Sequence, residues 1–139
     1  MPVDVNQLKQ RITEVLDAKA ELKRLTSKPY QELTGDEKSA IRYHVIILAE
    51  ALGSICIHIA IEDVGETPDS FSACFDILEK EGICESCSNE LSSIVKLRNL
   101  LTHRYWIIDD HLVYDSIRNG FYAVDKFLES VEDKYAIEL

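Results

Sequence analysis

Apolar residues return at helical spacing through most of the chain. From Asp4 to Thr26, Val5, Leu8, Ile12, Val15, Leu16, Leu22 and Leu25 form one stripe with charged residues between them, which predicts a first helix. Ser27-Lys28-Pro29 breaks the pattern, and a short turn leads to Thr34-Gly35-Asp36, where Thr34 or Asp36 can cap a second helix. That helix runs from about Glu37 to about Asp63. It is apolar on nearly every side, so it must be covered all round, by its own bundle with or without a second subunit.

A third, short helix is capped by Asp69 or Ser70, turns Phe71, Phe75, Ile77 and Leu78 inward, and stops at Gly82. A fourth begins near Ser86 or Ser88, carries Leu91, Ile94, Val95, Leu97, Leu100 and Leu101, and weakens around His103 to Trp106. A last helix is expected from roughly His111 to Lys134. Strand signals are weak, and no internal repeat is present. The predicted fold is all-α, an up-down bundle of four long helices plus a short one, in a single domain over residues 1–139.

Length and composition agree with one packed core: 139 residues, 46% hydrophobic and 29% charged. Val45 to Ile61 is apolar enough to raise the question of a membrane span, but Glu50 inside it would be costly in lipid, so a buried central helix and no membrane association are expected. The net charge of −10 is opposite to that of a nonspecific nucleic-acid binder, so any RNA contact must use a local basic spot. The N-terminus has no positive-then-apolar leader pattern, and the cysteines read as reduced thiols, which points to the cytoplasm. Cys84-Glu85-Ser86-Cys87 is one CxxC with no second pair, so unpaired thiols and no metal site are expected. Cys56 reads as helix core, and His44, His58 and His111 read as structural or surface residues. No cofactor is expected.

The basic spot is Lys96-Leu97-Arg98-Asn99-Leu100-Leu101-Thr102-His103-Arg104-Tyr105-Trp106, at a predicted helix end. Asn99 and His103 are four residues apart and share a helical face, while Arg98 lies about 100° round from Asn99. Within one chain Arg98 and His103 need not touch; two copies of the helix meeting across a dimer axis would line one cleft with both pairs. These residue types suit metal-free RNA cleavage. A histidine can take the proton of a ribose 2′-hydroxyl, and a second can protonate the leaving oxygen. Arginine can stabilise the charge that develops on phosphate. Asn99 could orient the phosphate or the histidine, and Tyr105 could stack on a base or hydrogen-bond to phosphate. The plainer alternatives are a surface His103, an Arg98 paired with Glu85 or Glu90, and core aromatics at Tyr105 and Trp106. Glu50 has two readings: a carboxylate that orients Arg98 or His103 across the bundle, or one that simply meets a Lys, Arg or Tyr.

The run from Arg98 to Tyr105 resembles the Arg-x-x-x-x-His-x-Tyr motif of the HepT branch of the HEPN superfamily, with the Asn after the Arg and the apolar pair that follows. Leu48-Ala49-Glu50-Ala51-Leu52 is similar to the Glu-containing second helix of those proteins, and Thr67 through Ile83 to their short connecting helix and turn. The resemblance implies a HEPN-like bundle and a homodimeric toxin of a toxin–antitoxin pair. It implies that Arg98 and His103 cut RNA without a metal, supported by Asn99, Tyr105 and Glu50. It implies a minimal nucleotidyltransferase antitoxin, MntA, that transfers AMP to Tyr105. The alternatives are a noncatalytic helical module that partners a nucleotidyltransferase, and a purely structural helical dimer.

Overall fold

The computed structural model describes residues 3–118 and 120–139. Six α-helices account for its regular structure: α1 (Val5–Thr26), α2 (Gly35–Ile59), α3 (Phe71–Lys80), α4 (Ser88–His103), α5 (Asp110–Arg118) and α6 (Tyr122–Lys134). Short 3₁₀ turns occupy Tyr30–Glu32 and Tyr105–Ile107. The fold class is all-α, as the apolar spacing predicts.

Local chemistry sets the helix starts. The Asp4 side chain accepts from the Gln7 N–H at the head of α1. Thr34 and Glu37 form a reciprocal capping box on α2. Ser70 accepts from the Ala73 N–H on α3. At α4 the cap comes from a neighbouring helix: Glu79 on α3 accepts from the Ser88 N–H at 2.9 Å, and the Ser88 hydroxyl donates to Asp76. Helix α2 passes into a π-helical turn at Ala60–Val64 and ends at Gly65, whose φ of 82° suits the left-handed conformation that glycine adopts freely.

Helix α2 is the hub, in contact with α1, α3, α4 and α5. Its start-to-end pairing with α1 is antiparallel, and His58 near its end accepts from the Asp4 N–H at 2.9 Å. Val45, Leu48, Leu52, Ile55, Cys56 and Ile59 are sealed in the core with Leu8, Ile12, Phe75, Leu91 and Phe127. With its π-helical extension, α2 is long and apolar enough to cross a membrane, but 56% of its most apolar window is buried against the chain's other helices.

Two expectations are corrected. The helix read from His111 to Lys134 is two helices, because α5 ends at Arg118 and α6 begins at Tyr122. Gly120 fits the junction: a Cβ there would lie 2.7 Å from the Ser116 carbonyl oxygen. Second, Cys84 and Cys87, read as separate thiols, are paired as a disulfide. Gly82, Cys84 and Ser86 all have positive φ, and this tight turn brings the two cysteine Cα atoms to 5.6 Å, within reach of one bridge. The bundle itself does not cover α2 all round. Tyr43, Glu50 and Ile61 are exposed along one face, with Ile46, Ile47 and Ile57 half-buried beside them.

Candidate active site at the end of helix α4

Arg98, Asn99 and His103 lie on the last turns of α4, and Tyr105 opens the 3₁₀ turn that follows. The predicted weakening of the helix near His103 is where α4 stops, at the Arg104 N–H bonded to the Leu100 carbonyl. His103 is exposed. Among the described residues no hydrogen bond joins Arg98 to His103, as their helical offset requires within one chain.

Arg98 is held on several sides. One terminal nitrogen donates to Asn99 Oδ1 at 2.7 Å and the other to Glu50 Oε1 at 3.2 Å. Its guanidinium carbon lies 5.8 Å from the centre of the Phe71 ring. Its Nε is buried and has no hydrogen-bond partner among the described residues. The pairing with Glu85 or Glu90 is therefore not the one formed. Glu50 meets Arg98, a contact that both readings of Glu50 contain. The Glu50 side chain is 48% exposed, on the uncovered face of α2. Beside Arg98 opens a cleft of about 340 Å³ lined by Asp69, Ser70, Phe71, Ser72, Arg98 and Asn99.

Tyr105 and Trp106 are not core aromatics. They are 61% and 69% exposed, with their rings edge to face at 5.5 Å. Arg42 on α2, which sequence reasoning missed, fixes this segment from beneath. It donates to the Tyr105 carbonyl at 3.0 Å and the Ile108 carbonyl at 3.4 Å, and pairs with Asp110 at 2.5 Å. Phe71 was read only as a core position and is also part of the site. Neither residue carries a motif.

The other titratable residues serve the fold. His58 caps α1, and His111 packs on the Tyr30 ring at 4.4 Å. Cys56 is core, as expected; burial, and then the neighbouring Cys74, push its thiol far up from the ordinary value. Among the described residues no group of three or more His, Cys, Asp or Glu is placed to hold a metal ion.

The arrangement offers a fixed cation, a carboxamide and an exposed imidazole at one helix end, followed by an exposed phenol. Comparison with known proteins places it. No curated protein matches the chain. A crystal structure of a toxin–antitoxin with AMP-PNP superposes with a TM-score of 0.84 at 15% identity, over 92% of this chain and 98% of that one. YutE from Bacillus subtilis, a cytosolic protein of unknown function, gives 0.82 at 18% identity, over 95% and 90%. A mutant of the toxin–antitoxin MntA–HpeT gives 0.81 at 16%, over 92% and 98%. These likenesses establish the fold. The family described as "Ribonuclease HepT-like" matches residues 12–131, most of the chain and all of the site, and this protein belongs to the HepT-like ribonuclease family.

Proposed function

We propose that this protein is a metal-independent endoribonuclease and the toxin of a toxin–antitoxin pair, acting as a cytoplasmic homodimer and silenced when a nucleotidyltransferase antitoxin transfers AMP to Tyr105. The observation that carries the reading is the placement of Arg98, Asn99, His103 and Tyr105 at one accessible end of α4, with Arg98 anchored by Glu50.

In this reading the His103 imidazole accepts the proton of a ribose 2′-hydroxyl, whose oxygen attacks the adjacent phosphorus. Arg98 binds the non-bridging oxygens and stabilises their added charge. The 5′-oxygen leaves with a proton from His103 of the second copy, and a cyclic phosphate remains. A dimer fits this division of labour, since among the described residues no hydrogen bond joins Arg98 to His103 within one chain. The uncovered face of α2, from Tyr43 to Ile61, gives the second copy an apolar surface.

Regulation at Tyr105 is supported by its exposure and by the two toxin–antitoxin structures that share the fold, one of them bound to a nucleotide analogue. An AMP group on the phenol would add bulk and a negative phosphate where RNA phosphates must approach.

The test is expression in bacterial cells. Wild type should arrest growth, and His103→Ala should not. Co-expressed nucleotidyltransferase should restore growth, with one or more AMP groups found on Tyr105 by mass spectrometry. Equal growth with wild type and His103→Ala would refute the toxin reading and favour a noncatalytic module serving the nucleotidyltransferase.

A further inference from the structure

Arg98 has two hydrogen-bonding anchors, Asn99 and Glu50, and both have a weakness in common. Each accepts from a terminal nitrogen of the guanidinium. Those are the donors that a phosphate fork engages. When phosphate arrives, it shares those nitrogens with Asn99 and Glu50. A third anchor uses none of them. The Phe71 ring lies 5.8 Å from the guanidinium carbon, and an aromatic face attracts a cation without using any of its N–H groups.

The ring reaches that place because of one residue on α2. A Cβ built on Gly53 would lie 2.6 Å from each of three atoms of the Phe71 ring. Real Cβ contacts do not come that close, so any larger residue at position 53 displaces the ring. Gly53 is itself buried in the middle of a helix, where glycine costs roughly 1 kcal/mol relative to alanine. The helix carries that cost at the point where the ring lies against its backbone. Phe71 also borders the clefts on both sides, one shared with Arg98 and Asn99, the other with Ser54 and His58.

We propose that Phe71 is a positioning residue for Arg98, holding the guanidinium plane while its hydrogen-bond donors are handed to the phosphate, and that Gly53 is the residue that admits the ring. The inference rests on reading Arg98 as the phosphate-binding charge. Phe71 itself touches no reacting atom.

The test uses Phe71→Leu, which keeps apolar volume and removes the π face, Phe71→Tyr, which keeps the face, and Gly53→Ala, which pushes the ring away. The first readout is the NMR resonance of the Arg98 Nε–H, assigned by its loss in Arg98→Lys. In wild type and Phe71→Tyr it should be displaced by the ring; in Phe71→Leu and Gly53→Ala it should move to the position of an ordinary exposed arginine. The second readout is RNA cleavage. Phe71→Leu should lower kcat about tenfold with a smaller change in KM, and Phe71→Tyr should restore it. An Arg98 resonance that stays put in Phe71→Leu, in a protein that still melts cooperatively, would overturn the proposal, as would wild-type kcat in that variant. If the resonance follows residue 71 but wild type cleaves no RNA, the positioning stands and the ribonuclease reading fails.

Discussion

Glu50 on α2 accepts a hydrogen bond at 3.2 Å from Arg98 on α4, 48 residues away in sequence. The pair is partly open to solvent, with the carboxylate 48% and the arginine side chain 25% exposed. Ion pairs of that kind add at most about 1 kcal/mol to stability. Its value is directional, since it fixes where the guanidinium points. Glu50→Ala is therefore expected to leave the melting temperature within about 3 °C of wild type while lowering kcat for RNA cleavage about tenfold. Glu50→Gln, which keeps an acceptor, should fall between. Thermal melts and steady-state kinetics on one RNA substrate check both.

Arg42 ties three points of the segment after α4 to the core: the Tyr105 carbonyl, the Ile108 carbonyl and Asp110. Arg42→Ala should cost roughly 1–2 kcal/mol and lower the melting temperature by roughly 4–8 °C. Limited proteolysis should find new cleavage at Tyr105 to Ile107, because the backbone there loses its support.

Tyr105 separates catalysis from control. Its side chain lies among the exposed residues, and Phe keeps the ring. Tyr105→Phe is expected to cleave RNA within about threefold of wild type. It should take up no AMP from the nucleotidyltransferase and stay toxic in its presence. Mass spectrometry of the co-expressed protein decides the point.

One electrostatic contact sets a pH dependence. Glu37 accepts from Lys28 Nζ at 2.8 Å and from the Thr34 N–H at 2.9 Å. The Lys28 contact first, and then the backbone N–H, hold its carboxyl down from 4.5 to about 2. A depressed carboxylate stabilises the fold above its unfolded-state value and loses that contribution as pH falls through the folded one. Glu37→Gln should therefore melt lower than wild type at pH 7. The gap should narrow from about pH 4.5 down and close near pH 2, followed by melting curves across that range.

Much of the fold was legible because its helices carry their own signals. The stripe of α1, the Thr34–Glu37 capping box of α2 and the fading of α4 at His103 all read directly from spacing and residue type. The break between α5 and α6 has a signal too. Asn119-Gly120 is a turn dipeptide set inside an apolar periodicity that continues on both sides. The disulfide was not legible, since Cys84 and Cys87 meet only through positive φ at non-glycine residues.

The site divided in the same way. Arg98, Asn99, His103 and Tyr105 are contiguous, so a motif reveals them. Glu50 could be connected to Arg98, His103 or another partner but not to one of them alone, because a uniformly apolar helix does not announce which face its bundle leaves open. Phe71 and Gly53 reach Arg98 only through packing between α2 and α3, which periodicity does not encode.

The most direct test of the central claim is cleavage of total cellular RNA in EDTA, using wild type shown by mass to be unmodified, with Arg98→Ala and His103→Ala alongside. Cleavage by wild type that survives EDTA and is lost in both variants, with fold and oligomeric state intact, is the predicted result. Undiminished cleavage by either variant, or none by wild type, would contradict it.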